Sequence, residues 1–196
     1  MDVRRIADGL WYWTAAHPRW RPGADWPEAV GCVYYEAPDA VVLIDPLLPR
    51  GEEEEFLDYL DRDVERLGLP VVVLLTAAWH ERDAPILRAR YEAEARLPEG
   101  IEVYPIEGAP EEQLAYFMRH HRTLVVAEIF MGEAGGLRLC PSPALMDRAA
   151  LDKSLQSLLA LPVERVLPGH GEPVLENGLE AMRLALRERL PAQPED

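Results

Sequence analysis

The segment PVVVLLTAAWHERD (70–83) carries the strongest fold signal in the chain. Its first half is an uninterrupted apolar run rich in valine, which predicts a buried strand. Its second half is a polar turn that contains His80, and the following residues, PILRAR (85–90), predict a helix. Turns between a buried strand and a helix often carry functional groups, because they lie at an accessible edge of a sheet. The segment therefore predicts a strand–helix unit with a candidate site at His80.

The composition is that of a folded, acidic protein. The chain has 196 residues, enough for one substantial core, and 48% of them are hydrophobic. Twenty basic against 35 acidic residues give a net charge of −15, which repels phosphate backbones. The apolar runs are too short to span a bilayer, and MDVRRIADG (1–9) leads into no hydrophobic signal core. We expect a cytoplasmic protein with no nucleic-acid or membrane partner.

Eight apolar runs predict strands. The four strongest are rich in β-branched residues: GCVYYEA (31–37), AVVLIDP (40–46), PVVVLLT (70–76) and TLVVAEIF (123–130). Four weaker ones are LWYW (10–13), IEVYPIE (101–107), LRLCP (137–141) and VERVLP (163–168). APDA (37–40) predicts a tight hairpin turn between the first two strong runs.

Four segments predict amphipathic helices. Two are GEEEEFLDYLDRDVERLG (51–68), which ends at Gly68, and DRAALDKSLQSLLAL (147–161). Another helix begins after Asp83, which is placed to cap it, and the last begins after Asn177. Hairpin strands followed by alternating strands and helices predict an α+β fold in which two sheets pack between helical layers. We expect a single domain over residues 1–190 and a polar tail over 191–196.

Three motifs together carry a family resemblance. VVLIDP (41–46) is an apolar strand that ends in Asp45, LLTAAWHERDA (74–84) is a strand and a polar turn, and VLPGHGEPV (166–174) is a strand that ends in Gly-His-Gly. In this order and at these separations, the chain resembles the metallo-β-lactamase superfamily over nearly its whole length. The resemblance implies an αββα sandwich, the four-layer fold of a metal-dependent hydrolase family.

The chain departs from the metal-binding motif of that family. Active members carry T-H-x-H-x-D-H, whose imidazoles and carboxylate hold one or two zinc ions. Counted from Thr76, the ligand positions are occupied by Ala77, Trp79, Glu81 and Arg82. A methyl group, an indole and a guanidinium cannot bind a metal, and His80 falls between the ligand positions.

The downstream ligands are also reduced. The segment that matches the next histidine of the family, IEGAPEEQLAYFM (106–118), contains none. Glu128 stands near the place of the bridging aspartate, and His170 in PGHG matches the last ligand. The resemblance therefore implies a degenerate metal site, with no cofactor and a binding or structural role, as in a pseudoenzyme. The alternative is a hydrolase of an ester, thioester or related bond that uses one divalent metal, zinc or manganese, on Glu81, Glu128 and His170, with His80 as an optional further participant.

Arg82 has a specific expected role in the first of these interpretations. A guanidinium beside Glu81 and Glu128 would supply the missing positive charge and pair with a carboxylate through two hydrogen bonds. We therefore expect Arg82 to replace the metal electrostatically.

Two interpretations of His80 stay open. It could act in catalysis with Glu81, its ring oriented by Asp83, or as a metal-free general base. The simpler alternative is a partly exposed residue at the start of a helix that Asp83 caps. We expect Asp45 to accept hydrogen bonds from the amides of the neighbouring turn.

An aromatic loop could complete the site. Trp20 and Trp26 lie in HPRWRPGADWPE (17–28), which is too rich in Pro and Gly for regular structure. With Trp79 they could line an apolar pocket for a small molecule. Packing of this loop on the core or a dimer contact is an alternative, and a homodimer stays open.

Overall fold

The computed structural model describes residues 2–24, 26–109, 111–139 and 147–189. The predicted tail over 191–196 and the proposed boundary at residue 190 lie outside these residues. In the described part of the chain, no helix combines the length and the apolar character needed to cross a membrane.

The first sheet has five strands in the order β1-β2-β3-β4-β5. They are β1 (Asp2–Ala7), β2 (Leu10–Ala16), β3 (Ala29–Ala37), β4 (Ala40–Ile44) and β5 (Val71–Leu74). The first four pair in antiparallel fashion, and the β3–β4 turn is the predicted hairpin. In this sheet β4 and β5 alone run parallel, so their carboxyl ends lie at the same edge.

The second half of the chain forms a four-stranded sheet and a small hairpin. In chain order the strands are β6 (Ile101–Ile106), β7 (Gln113–Met118), β8 (Thr123–Val126), β9 (Phe130–Glu133), β10 (Gly136–Leu139) and β11 (Arg165–Pro168). The sheet order is β11-β8-β7-β6, while β9 and β10 pair with each other. Strands β8 and β11 run parallel, and the remaining pairs are antiparallel.

Four helices cover the sheets: α1 (Glu53–Leu67), α2 (Ala84–Tyr91), α3 (Arg148–Leu159) and α4 (Gly178–Arg189). Helix α1 ends where Gly68 adopts the left-handed conformation, with φ of 62°, as glycine does most readily. Helix α3 begins at Asp147, whose side chain accepts hydrogen bonds from the amides of Ala149 and Ala150.

Three apolar layers hold these elements together. Tyr12, Val42 and Leu167 belong to the layer between the two sheets. The outer face of the first sheet packs against α1 and α2, and that of the second sheet against α3 and α4. The layers therefore follow the order helix, sheet, sheet, helix, which confirms the predicted αββα sandwich.

Two local expectations are corrected, and two strands were missed. The run TLVVAEIF (123–130) is not one strand, because the chain leaves the sheet after Val126 and starts β9 at Phe130. Strands β1 and β7 were not expected from the pattern. Asp83 stands at the start of α2, but its side chain caps no amide of that helix and instead accepts from the amide of Leu48 at 2.8 Å.

Candidate metal centre

The candidate site lies where four strands end. Asp45 follows β4 directly and Thr76 lies two residues beyond β5; Glu128 and His170 lie two residues beyond β8 and β11. Strands β4 and β5 run parallel in the first sheet, and β8 and β11 run parallel in the second. The carboxyl ends of each pair therefore meet at one sheet edge. Isolated bridges between Val30 and His170 and between Ala77 and Gln113 join the two sheets there. The topology thus brings distant parts of the chain to one place.

Asp45 fixes the orientation of His80. The carboxylate Oδ2 lies 2.9 Å from Nδ1 of His80, and Oδ1 accepts from the amide of Thr76 at 2.8 Å. The hydroxyl of Thr76 also donates to Oδ2 of Asp45. Because Asp45 accepts the Nδ1 proton, the lone pair of His80 is on Nε2. The expected contact of Asp45 with a turn amide is confirmed, but Asp45, and not Asp83, orients the imidazole.

His80 is buried, with an exposed fraction of 3%, and is not the partly exposed residue of the simpler interpretation. It ends a single 3-10 turn, Ala78–His80, which directs its side chain back toward β4. Its Nε2 is buried and has no hydrogen-bond partner within the described residues. Such an orphaned acceptor points to a ligand.

The atoms nearest to that orphaned nitrogen belong to Glu128 and His170. Oε1 of Glu128 lies 3.9 Å from Nε2 of His80 and 3.6 Å from Nε2 of His170. One ligand atom from each of the three residues falls within 4.8 Å of the others. We call His80, Glu128 and His170 the His-Glu-His cluster. The indole of Trp79 also donates to Oε1 of Glu128, at 3.2 Å.

The charges of Glu128 and of the histidines in the cluster influence one another through their pKa values. Contacts with His170 and then His80 outweigh burial and hold the pKa of Glu128 well below its usual range. Burial opposes a charge on His80, but its contacts with Asp45 and Glu128 prevail and raise the pKa of His80. Glu128 is therefore ionised at neutral pH, and the site favours a positive charge at its centre.

Glu81 does not belong to this cluster. The sequence predicts Glu81 with Glu128 and His170, whereas the structure brings His80 to them and leaves Glu81 exposed. The 3-10 turn causes the difference, because it buries His80 and turns the next residue toward solvent.

Arg82 also differs from its expected role. Its Nη1 donates to the carbonyl oxygens of Asp45, at 2.8 Å, and of Gly31, at 2.9 Å. Its hydrogen bonds within the described residues go to these two carbonyls and to Sγ of Cys32, at 3.7 Å, so the expected paired hydrogen bonds to Glu81 or Glu128 are absent. Arg82 has a positive φ of 41° and ties the turn to β3 and β4.

Glycines allow the close approach of backbone segments around the cluster. A Cβ on Gly169 would lie 3.1 Å from Cε1 of His80. Gly171 has φ of 81°, and a Cβ there would lie 2.0 Å from the carbonyl oxygen of Gly132. The Gly-His-Gly motif thus lets His170 stand beside His80 while β9 passes next to the turn.

A pocket of about 290 Å³ opens over the cluster. It is lined by His17, Arg19, Trp26, Val30, Trp79, Arg82 and the cluster itself. Trp26 stands against His170, with ring centroids 5.4 Å apart, and Trp79 stands 5.9 Å from His80. Trp26 and Trp79 line the pocket, whereas Trp20 does not and donates its indole proton to the carbonyl of Trp26.

Three contributors to the site were missed in the sequence. Gln113, buried at the start of β7, accepts from the amide of Glu128 at 3.3 Å. His17 and Arg19 line the pocket because the β2–β3 loop reaches the same edge as the carboxyl end of β4. The sequence predicts that this loop could reach the site through Trp20 and Trp26, but no pattern in it singles out His17 and Arg19. Burial, with the charges of Arg82 and Arg19, lowers the pKa of His17 to about 4.

Comparison with solved structures identifies metallo-β-lactamases. One from Pontibacter korlensis is 17% identical, with a TM-score of 0.57, and the match covers 96% of this chain and 99% of that chain. One from Erythrobacter litoralis is 16% identical, with a TM-score of 0.62 and coverage of 96% and 92%. One from Hirschia baltica is 12% identical, with a TM-score of 0.55 and coverage of 94% and 96%. The chain therefore has the metallo-β-lactamase fold, as the sequence predicts.

No protein-family model matches the chain, and a search of curated proteins also gives no match. The fold alone does not determine the chemistry of this site, which depends on the residues that the site contains.

Those residues fit one metal ion and not two. The family positions at Ala77, Trp79 and Arg82 offer no donor for a metal. In the described part of the chain, the His-Glu-His cluster is the one group that could hold an ion. Two histidines and a glutamate are one of the ligand sets of catalytic zinc, in which a fourth position stays open.

Proposed function

We propose that the chain binds one divalent metal ion through His80, Glu128 and His170 and hydrolyses a small substrate in the pocket above it. The observation that carries this proposal is the buried, unpartnered Nε2 of His80, which faces a carboxylate and a second imidazole. His80 is also held by a carboxylate on its other nitrogen, an arrangement typical of metal-binding histidines.

The separations within the cluster support a metal in preference to direct hydrogen bonds. The distances of 3.6 Å and 3.9 Å from Glu128 to the two imidazoles exceed the usual hydrogen-bond range of about 2.7–3.2 Å. Two ligands that are each about 2.1 Å from a tetrahedral ion lie about 3.4 Å apart. A small inward movement of the three side chains is enough to bind an ion.

The surroundings of the cluster suit hydrolysis. Bound there, the ion would lower the pKa of a water molecule and polarise the bond under attack. Asp45 keeps the Nε2 lone pair of His80 directed at the centre, and Gln113 holds the backbone of Glu128 in place. Trp26 and Trp79 line the pocket and offer apolar contact to a substrate. Esters, thioesters and related bonds are the substrate class that we expect.

A second candidate function is a binding role without a metal. The indole of Trp79 donates to Glu128 and so partly satisfies this carboxylate. The pKa of His80 is raised, so a protonated imidazole could supply the positive charge. In that case the pocket holds a ligand and carries out no hydrolysis.

Metal content and thermal stability separate the two functions. Protein purified without chelator is analysed for bound zinc and manganese, and its melting temperature is measured with each metal and with EDTA. An ion present at 100 times its Kd stabilises the folded state by about 2.7 kcal/mol, which raises the Tm of a chain of this size by roughly 5–10 °C. No bound ion and no shift would reject metal binding and leave the second function.

Glu128→Gln is the test variant and Glu81→Gln the matched control. Both remove one carboxylate charge, but only Glu128 belongs to the cluster. We expect Glu128→Gln to lose the metal-dependent shift and the hydrolysis of p-nitrophenyl acetate or a thioester, and Glu81→Gln to keep both. Equal behaviour of the two variants would contradict the assignment.

A further inference from the structure

The pocket above the cluster differs in charge from the rest of the chain. The chain has a net charge of −15, yet the described residues that line the pocket include two arginines and one carboxylate. That carboxylate, Glu128, already contacts His80, His170 and Trp79. The positive charges of Arg19 and Arg82 therefore lack an equal negative charge in the pocket.

Arg82 is held in place by neutral acceptors and forms no ion pair within the described residues. Its Nη1 is fixed by the carbonyl oxygens of Gly31 and Asp45, which are neutral acceptors. Its Nε is buried without a hydrogen-bond partner among the described residues. A guanidinium fixed by neutral acceptors keeps its full charge and is preorganised to attract an anion.

His17 adds a hydrogen-bond donor to the same pocket. The amide of Arg19 donates to Nδ1 of His17 at 3.2 Å, so the ring proton is on Nε2. A hydrogen bond from the amide of His17 to the carbonyl of Glu28, 2.9 Å long, closes the loop that carries both residues. We call His17, Arg19 and Arg82 the basic wall.

The other lining residues are apolar. Trp26 and Trp79 stand next to the two imidazoles of the cluster, and Val30 lies at the start of β3. A pocket of about 290 Å³ is near the lower limit of small-molecule sites. It suits a compact ligand with an apolar body and one charged end.

We propose that the substrate carries an anionic oxygen group, a carboxylate or a phosphate, which the basic wall binds while its apolar body contacts Trp26 and Trp79. This inference rests on the proposed function in one respect, namely that the bound ligand is a substrate. The recognition of the anion, however, depends on residues outside the metal ligands. It can therefore be tested in protein without metal.

Phenylacetate, phenyl phosphate and the neutral phenylacetamide are the probes. Their binding is measured by calorimetry to EDTA-treated protein, so that no metal can bind the anion. We expect at least one of the two anions to bind about tenfold more tightly than the amide, because charge-assisted hydrogen bonds to a guanidinium are the stronger ones. The tighter anion identifies the group. Binding of the amide as tightly as both anions, or no binding of either anion, would overturn the proposal.

Arg19→Gln is the main variant, because Arg19 is exposed and we expect its replacement to spare the fold. Arg21→Gln is its matched control, since Arg21 lies on the same loop but does not line the pocket. We expect Arg19→Gln to weaken anion binding about threefold and Arg21→Gln to leave it unchanged. Equal weakening by both variants would show a general charge effect and contradict a specific site. Arg82→Gln should weaken binding further, provided that circular dichroism shows it folded.

The two proposals fail in different ways. If metal binding fails and the anions still bind, the basic wall is retained and the pocket is a ligand site. If the Arg19→Gln protein binds the anions as tightly as the parent chain, the basic wall is rejected whatever the metal content.

Discussion

At the scale of single residues, the site depends on the tautomer of His80. Asp45 accepts the Nδ1 proton and leaves Nε2 free for a ligand. Asp45 itself has a positive φ of 50°, a conformation that residues other than glycine rarely adopt. The strain is offset by hydrogen bonds from Thr76, through its amide and its hydroxyl. This geometry can be tested by replacing one carboxylate oxygen of Asp45 with an amide nitrogen.

We expect Asp45→Asn to weaken metal binding. The asparagine amide would donate to Nδ1 of His80, so the imidazole proton would move to Nε2 and block the ligand position. Changes of this kind cost about 10–100-fold in metal affinity, which competition with a chelating dye would measure. Glu81→Gln, a carboxylate outside the cluster, should bind metal as the parent chain does. Unchanged affinity in Asp45→Asn would refute the role of Asp45.

Gly169 offers a test of packing against His80. A Cβ at this position would lie 3.1 Å from Cε1 of His80, so Gly169→Ala must shift the imidazole by a few tenths of an ångström, whereas its 3.4 Å separation from the carbonyl oxygen of Ala127 is ordinary contact. We expect a loss of about 1–2 kcal/mol, or roughly 2–6 °C in Tm. Gly136→Ala is the control, because a Cβ there meets nothing within 4 Å. Equal melting temperatures for the two variants would count against the close approach.

At the scale of elements, helices were predicted more completely than strands. Helix α4 begins at Gly178, directly after the predicted Asn177, and α1 ends before Gly68 as expected. Strand β1 was missed because DVRRIA is an exposed edge strand without a continuous apolar run. The break after Val126 was missed because AEIF (127–130) remains apolar on both sides of Glu128. Hydrophobic pattern therefore locates buried segments but not the points where a buried chain changes sheets.

A contact between α1 and α2 gives a prediction about pH. Arg90 binds the carboxylate of Asp61 through two nitrogens, and the hydroxyl of Tyr91 donates to the same carboxylate at 2.6 Å. These contacts, Arg90 first, lower the pKa of Asp61. The carboxylate therefore stabilises the fold above the unfolded pKa of about 3.9, and this contribution is lost as the pH falls through the folded value.

Asp61→Asn should destabilise the chain at pH 7 by at most about 1 kcal/mol, since the contact is partly exposed to solvent. The difference from the parent chain should shrink as the pH falls below about 4. Urea unfolding at several pH values measures it. Asp58→Asn on the exposed face of α1 is the control, and a similar loss in that variant would contradict the prediction.

At the scale of the whole molecule, the site exists because two parallel strand pairs end at one edge. The motifs VVLIDP and PGHG predict the order of these strands, so the fold and the positions of Glu128 and His170 follow from the sequence. The inclusion of His80 in place of Glu81 does not, because it depends on a 3-10 turn and on the distant Asp45. The same holds for Arg82, whose partners are backbone carbonyls that no sequence pattern specifies. The single domain, cytoplasmic location, the lack of nucleic-acid partners and a homodimer stay predictions.

The most direct test of the central claim is anomalous diffraction from crystals grown with zinc and without chelator. If the His-Glu-His cluster binds a metal, one peak at the zinc edge lies about 2.0–2.2 Å from nitrogen atoms of His80 and His170 and from a carboxylate oxygen of Glu128. A map without a peak at this position, or with zinc bound only elsewhere, would contradict the claim and assign the pocket to metal-free binding.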